Sequence, residues 1–205
     1  MSEEIIRSVA ELQSQYGPPG DLAVDKEMTS LDAHCRRFIE LSPFVVIATA
    51  AADGAADASP RGDAPGFVQI LDDKHLLIPD RAGNNRLDSL KNLVENPNIG
   101  LLFFVPGMNE TLRLNGTALL TTDPKLLEPM SVNRKPPRSA LLITVDQVFL
   151  QCAKALIRSK LWAPGSQIKR KSFPSLGKIL SDQVDGVSQN EADQLIEESQ
   201  RIRMY

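Results

Sequence analysis

The chain has 205 residues, of which 42% are hydrophobic and 24% charged, and these values are typical of one globular domain with helical extensions. A formal net charge of -3 gives no electrostatic reason to expect binding to nucleic acid or to a membrane surface, and no apolar run approaches the roughly 18–20 residues that span a bilayer. Two cysteines and two histidines make a disulfide framework, a zinc site or a Ser-His-Asp triad a poor hypothesis, so we expect a soluble cytoplasmic protein.

Helical patterns are predicted at both ends of the chain and before the first strand. The N-terminal pattern runs over residues 4–16 and is acidic and amphipathic, unlike a secretory signal. Capping boxes predict two further helices, one over Leu31–Leu41 and one near the C-terminus. The capping residues are Thr29 with Asp32, and Ser188 with Glu191.

β-Strands are predicted where β-branched, aromatic or alternating apolar residues lie between turn signals. About six strands follow in hairpin order, the second being interrupted and then resumed. The segments are Phe44–Ala50, Ala56–Arg61 resuming at Phe67–Leu71, Leu76–Ile78, Ile99–Val105, Thr111–Thr121 and Ala140–Leu150. A short helix near Asp123–Met130 precedes the last strand. The order predicts a mainly β fold with flanking helices, an antiparallel barrel rather than a doubly wound sheet.

One helical crossover interrupts the hairpin order, between the strands at Leu76 and Ile99. Asn84-Asn85-Arg86 begin an amphipathic pattern whose apolar face holds Leu87, Leu90, Leu93 and Val94. Unpaired N–H groups and the positive end of the helix dipole make such a helix start suitable for an anion. An asparagine cap without any ligand is also common, and on this segment alone it is the more frequent case.

Three further segments combine residues that can bind a ligand, and each also has an ordinary structural interpretation. Ser59-Pro60-Arg61-Gly62 places an arginine beside a flexible glycine after a strand expected in the core, or forms a β-bulge with a surface arginine. Cys152–Trp162 joins Lys154 and Arg158 to the only tryptophan, which can wall an aromatic ligand or simply anchor packing. Asn109–Arg113 is a polar segment at the start of a strand, and such a segment is usually only a turn.

Taken together, these segments resemble the pyridoxamine 5'-phosphate oxidase-like superfamily of split-barrel FMN proteins. The resemblance covers about residues 30–165 and rests on the order of a DG turn, SPRG, IPD, GNNR, ENP, ETLRLNG and CAKALIRSKLW. Within the superfamily the chain is most similar to a bacterial subgroup described only as FMN-dependent enzymes. The resemblance implies a split antiparallel β-barrel and a homodimer with two FMN sites at the subunit interface.

The resemblance also implies roles for individual residues. The flavin phosphate and ribityl chain are expected at Ser59, Pro60, Arg61, Gly62, Asn84, Asn85 and Arg86. The isoalloxazine is expected along Ile78, Pro79, Asp80 and Arg81. The partner subunit is expected to contribute Thr111, Lys154, Arg158 and Trp162.

The chain departs from the true oxidases at three places. Those enzymes carry an Arg-Lys pair where this chain has Asn85-Arg86, and often a Gln where Thr111 falls. Their C-terminal motif for pyridoxal phosphate, rich in Trp and Arg, is not reproduced by Lys160-Leu161-Trp162. We therefore expect FMN binding without pyridoxamine phosphate oxidation.

The leading hypothesis is an FMN-dependent oxidoreductase acting on an unknown small molecule, with no catalytic residue identified. The alternative is a non-catalytic flavin-binding or sensing protein with the same pocket. Haem or a deazaflavin is a third possibility, but His34 and His75 lie outside the expected pocket, which disfavours haem. We expect an N-terminal helical extension over residues 1–28, the barrel over 29–165, and a helical tail over 166–205 packing on the barrel or on a partner.

Overall fold

A computed structural model describes residues 5–204, and its centre is one seven-stranded antiparallel sheet. The sheet order is β2-β1-β5-β6-β7-β4-β3. The strands are β1 (Phe44–Ala50), β2 (Ala56–Gly62), β3 (Gln69–Ile70), β4 (His75–Pro79), β5 (Asn98–Phe104), β6 (Thr111–Thr121) and β7 (Ala140–Gln151). The predicted split-barrel fold is thereby confirmed. The segment expected to resume the second strand is instead the separate two-residue β3, paired with β4.

Helices flank the sheet at both ends of the described chain and at the crossover. They are α1 (Val9–Tyr16), α2 (Asp21–Asp25), α3 (Ala33–Leu41), α4 (Asp88–Glu95), α5 (Pro124–Leu127), α6 (Lys154–Ser159), α7 (Leu176–Gln183) and α8 (Gln189–Arg203). The predicted C-terminal capping box is confirmed, because Ser188 and Glu191 each bond the other's backbone N–H, at 3.3 and 3.1 Å. Within residues 5–204, no helix combines the length and the apolar character that crossing a membrane requires.

The starts of the first two predicted helices differ from the expectation. The helix expected over residues 4–16 begins at Val9 with Ser8 as its N-cap, and residue 4 lies outside the described part of the chain. For α3 the cap is Asp32 rather than Thr29, since the Asp32 carboxylate accepts a hydrogen bond from the Cys35 N–H at 2.7 Å. Aspartate is itself a strong N-cap, so Asp32 caps α3 directly and the predicted capping box of Thr29 with Asp32 does not start this helix.

The crossover helix also begins later than predicted. Asn85 and Leu87 have φ values of 59° and 61°, a left-handed backbone that cannot continue an α-helix of L-residues. The first helical residue is therefore Asp88 rather than one of Asn84–Arg86. Leu87 is exposed at the cap, and the buried apolar face consists of Leu90 with Leu93.

Strand β2 has the reverse of the orientation expected for a core strand. Arg61 pairs with Val45 and Ser59 with Ile47, so the polar side chains of β2 share the face on which β1 carries its buried residues. Every position of β2 is at least partly exposed. It is an edge strand whose polar side faces inward, and the expectation of a core strand is wrong.

The opposite side of β1, β2 and β5 forms an outer apolar face. Antiparallel partners share a face, and on this one every residue except Asn98, at the start of β5, is apolar or glycine. Its members are Phe44, Val46, Ala48, Ala50, Ala56, Ala58, Pro60, Gly62, Gly100, Leu102 and Phe104. A solvated face of an antiparallel sheet normally carries polar residues, and a contiguous apolar patch marks an interaction surface.

We expect Gly116→Ala to lower the free energy of unfolding by about 1–3 kcal/mol, the usual cost of overpacking. Gly116 lies at the irregularity in the β6–β7 register, and a Cβ built there would lie 2.0 Å from the Thr144 carbonyl oxygen. Urea denaturation measures the change. Gly165→Ala is the matched control because a Cβ at Gly165 meets nothing within 4 Å. Equal unfolding midpoints for the two variants would contradict this prediction.

Candidate functional site

A cleft of about 1220 Å³ opens beside the end of β2, the end of β4, the start of α4 and the loop before β7. The sheet and the crossover thus bring distant sequence segments to one place. Ten residues proposed from the sequence line this cleft, namely Ser59, Pro60, Arg61, Gly62, Pro79, Asp80, Arg81, Asn84, Asn85 and Arg86.

The charge of the cleft is predominantly positive. Six basic and three acidic side chains line it, and such an excess attracts an anionic ligand. The basic residues are Arg61, Arg81, Arg86, Lys91, Lys135 and Arg138, and the acidic ones are Asp57, Asp80 and Asp88.

At the start of α4, no capping side chain accepts a hydrogen bond from the first backbone N–H groups. Leu87 is the N-cap and its side chain makes no capping hydrogen bond. The Asn84 Oδ1 accepts from the Arg86 N–H at 3.0 Å, which turns the chain immediately before the helix. Left-handed residues among successive N–H groups form concave anion-binding arrangements in other proteins. A left-handed leucine costs on the order of 1–3 kcal/mol, and such strain clusters at functional sites.

Arg61 is held half-buried at the end of β2. Its Nη1 donates to the Pro60 carbonyl oxygen at 2.9 Å and to the Ser59 hydroxyl. Burial lowers the pKa of Arg61, and the nearby carboxylates of Asp80 and Asp57 oppose that shift. The guanidinium is therefore partly desolvated and oriented beside the cleft, a good state for binding a charged group.

Asp80 introduces a half-buried carboxyl into this cationic cleft. Burial raises the pKa of Asp80, while the positive charges of Arg61 and Arg138 act in the opposite direction. The same carboxyl disfavours an anion at this end of the cleft when it is ionised.

The other two arginines proposed from the sequence have different surroundings. Arg81 donates from Nε to Asp63 and from Nη1 to the Met130 carbonyl oxygen, both at 2.7 Å, and so joins the segment after β4 to the segment after β2 and to a short helical turn. Arg86 donates to Asp88, and its side chain is 79% exposed. The hydrogen bond that Arg86 donates to Asp88 raises the pKa of Arg86. Arg86 is thus accessible to a ligand, whereas Arg81 is engaged in structural contacts.

Two side-chain hydrogen bonds fix α4 against the sheet. The Ser89 hydroxyl donates to Asp57 on β2 at 2.6 Å, and the Asn92 amide donates to the Thr49 hydroxyl on β1 at 3.0 Å. Ser89 and Thr49 are both buried, so these bonds are shielded from water. They position the start of α4 next to Arg61.

Sequence reasoning did not assign a role to Lys135 and Arg138, which line the cleft from the loop before β7. Asn133 and Arg134 adopt left-handed conformations, and the loop folds back so that Val132 pairs with Lys135. The signal that could have identified this loop is its sequence, two prolines flanked by basic residues.

The remaining five residues proposed from the sequence do not line the cleft. Ile78 is fully buried in the core, one residue before Pro79. The other four form a second cluster around the start of β6 and the helix α6. In it, Thr111 is buried and donates to the Gln151 side chain at 3.4 Å, and the Trp162 Nε1–H donates to the Met108 carbonyl oxygen at 2.6 Å. Lys154 and Arg158 are exposed on α6.

The second cluster lies far from the cleft within one chain. Thr111 begins β6, whereas Leu120 near the end of the same strand lines the cleft. Nine residues of strand, at the usual rise per residue, span roughly 30 Å. One small cofactor cannot contact both places in a single chain.

Within residues 5–204, no group of three His, Cys, Asp or Glu side chains is arranged to hold a metal ion.

Comparison with known proteins gives one family match. The sequence profile of the family described as Pyridoxamine 5'-phosphate oxidase matches residues 31–152, well over half of the chain. No curated protein matches the chain.

Several solved structures are similar to part of the chain. A variant of HupZ from Group A Streptococcus is 19% identical over 60% of this chain and 100% of its own, with a TM-score of 0.49. A candidate pyridoxamine 5'-phosphate oxidase from Lactobacillus delbrueckii is 19% identical over 60% of this chain and 95% of its own, with a TM-score of 0.46. An FMN-binding protein from Syntrophomonas wolfei is 8% identical over 70% and 96%, with a TM-score of 0.44.

We expect Asp80→Asn to raise the free energy of unfolding at pH 7. Because burial raises the pKa of Asp80 in the folded chain, ionising this carboxyl costs stability. The cost is complete above the folded pKa and vanishes as the pH falls below the unfolded value of about 3.9. Urea denaturation over a pH series should show a gain at neutral pH that shrinks in acid. Asp146→Asn, at an exposed position of β7, is the control. A gain that is equal at every pH would contradict the assignment.

Proposed function

The chain belongs to the pyridoxamine 5'-phosphate oxidase family, and from this premise we propose that it is an FMN-dependent oxidoreductase that binds its flavin in the cleft. The family is one of flavin-related oxidoreductases. The identity of the flavin and the roles of individual residues are our proposals.

The observation that carries the proposal is the meeting of Arg61 with the uncapped start of α4 in one cationic cleft. Backbone N–H groups at a helix start and arginine side chains are both preferred donors to phosphate. In our assignment the α4 start and Arg86 bind the flavin phosphate. Arg61, Asn84 and Asn85 lie beside it and contact the ribityl chain.

In the same assignment, the ring system of the flavin lies along the end of β4. Pro79 and Asp80 line the cleft, and the buried Ile78 holds this segment in the sheet. When bound, FMN supplies the electron-transfer chemistry. The residues of this chain then bind and orient the cofactor, and burial raises the pKa of the Asp80 carboxyl that lines this part of the cleft.

We further infer a homodimer, from two features of the single chain. The outer apolar face of β1, β2 and β5 lacks a covering element among the described residues and suits a second copy. The second cluster lies too far from the cleft of its own chain to share a ligand with it. A second copy would bring its Thr111, Lys154, Arg158 and Trp162 to this cleft. The exposed cations of α6 would then face an anionic cofactor.

The absorption spectrum of the purified protein, with mass identification of the released ligand, tests the proposal directly. We expect the visible bands of an oxidised flavin and the mass of FMN. A Soret band, or a released deazaflavin, would overturn it.

Reduction of the bound flavin by NAD(P)H, followed by reoxidation with an added acceptor, tests the catalytic part of the proposal. We expect turnover with at least one donor and acceptor pair. A flavin that no donor reduces would instead support a non-catalytic flavin-binding protein.

We expect Arg61→Met to weaken FMN binding about ten- to a hundredfold, since a hydrogen bond to a charged group contributes about 1.5–3 kcal/mol. Titration of the flavin-free protein with FMN, followed by flavin fluorescence, measures the dissociation constant. Arg37→Met is the matched control, because Arg37 is an exposed arginine of α3 that pairs with Glu40 and lies outside the cleft lining. If Arg61→Met retains the affinity of the parent, the assignment of Arg61 is wrong.

A further inference from the structure

The C-terminal helices α7 and α8 form a hairpin with an apolar groove on its outside. The groove has a volume of about 390 Å³, and its apolar lining includes Leu176, Leu180, Val184, Val187, Leu195 and Ile196. The two helices are in close contact at Gly177, where a Cβ would lie 2.0 Å from the Asp193 carboxylate. Leu195 is nevertheless 64% exposed. The hairpin therefore has one packed seam and one apolar side that remains in water.

The N-terminal helix α1 presents a complementary apolar stripe. Val9, Leu12 and Tyr16 recur at spacings of three and four residues, so they share one helical face. They are between 46% and 77% exposed, and α1 has no buried residue. A helix of eight residues is too short to be stable alone in water. This stripe therefore needs a surface on which to pack.

The exposed area of the chain supports a large missing contact. The chain exposes 14085 Å², whereas a compact monomer of 22.5 kDa is expected to expose about 9,500 Å². The difference is about 4,600 Å² for one chain, which exceeds the roughly 1,000–2,500 Å² that each partner buries in an obligate homodimer interface and so leaves room for more than one contact between copies.

The anchoring of α1 indicates that its surface is on a second copy. The segment after α1 is fixed to the far end of β7, where Met28 and Val148 exchange backbone hydrogen bonds and Lys26 donates to the Leu150 carbonyl oxygen at 2.8 Å. That end of β7 pairs with Thr111, so the segment that follows α1 is anchored beside the second cluster. At the other end of the chain, Ile202 of α8 lines the cleft.

We propose that α1 of one copy docks in the α7–α8 groove of the other copy, twice in a two-fold symmetric dimer. The inference rests on the proposed function, in which the second cluster of one copy meets the cleft of the other. That arrangement brings the anchored segment after α1 close to the partner's α8. Within one chain, this segment and α8 are separated by the length of β6. The stripe then supplies the anchors of a helix-in-groove contact and completes a three-helix bundle.

Crosslinking between two differently tagged chains tests this docking. Both chains carry Cys152→Ser to remove the exposed thiol, and Cys35 stays unreactive because burial raises the pKa of its thiol to about 12. One chain carries Leu12→Cys and the other Leu195→Cys. After co-expression, a bifunctional maleimide of flexible length is added, which tolerates small errors of register. Ser14→Cys, on the opposite face of α1, replaces Leu12→Cys in the control.

We expect a band at the mass of two chains, carrying both tags, with Leu12→Cys and only background with Ser14→Cys. A single chain bearing both Leu12→Cys and Leu195→Cys that crosslinks at the mass of one chain would overturn the proposal in favour of docking within a chain. Equal crosslinking of the two α1 positions would overturn it as well.

Light scattering and flavin content of the same preparations separate the two proposals. A flavin-containing dimer without the crosslink would overturn the docking of α1 and leave the proposed function standing. A monomer without flavin would overturn both.

Discussion

The register of β2 on β1 is the constraint on which the candidate site depends. Side chains alternate along a strand, so a slip of one residue would exchange the two faces of β2. In the observed register the polar side chains of Asp57, Ser59 and Arg61 face inward, and the alanines and Pro60 face outward. One strand thereby supplies an arginine to the cleft, a carboxylate that holds α4, and part of the outer apolar face. An ordinary half-buried strand would place its apolar residues inward and could supply none of the three.

The start of α4 is the second element that the cleft requires, and its geometry depends on contacts made elsewhere. A leucine cap in a left-handed conformation offers no side-chain hydrogen bond and is unfavourable locally. Buried hydrogen bonds from Ser89 to Asp57 and from Asn92 to Thr49 fix the helix on the sheet and can offset that cost. The result is a helix start whose first donors are available and held next to Arg61. The strained residues before α4 and the rigid position of α4 on the sheet therefore occur together.

Features of the chain that depend on local signals were predictable from the sequence, and those that depend on distant contacts were not. The strands follow from their β-branched and aromatic runs, and the capping box at Ser188 from residues only three positions apart. The start of α4 could not be read in this way, because Asn85 and Leu87 adopt left-handed conformations, and a leucine disfavours that conformation by its own propensity. Likewise Lys135 and Arg138 reach the cleft only because the loop before β7 folds back over the end of β4. The residues of the second cluster stand out in the sequence as a polar start of a strand and as cations near the only tryptophan, but their distance from the cleft depends on the length of β6.

A site divided between two copies would link cofactor binding to assembly. If the second cluster of one copy completes the cleft of the other, the flavin binds the dimer more tightly than the monomer, and by mass action it must stabilise the dimer to the same extent. The outer apolar face and the stripe of α1 would act in the same direction, because each buries apolar area only when a second copy is present. The single chain leaves apolar side chains exposed in three places, on the sheet, on α1 and on the α7–α8 hairpin. One two-fold assembly can cover all three, whereas a monomer would leave each of them in contact with water.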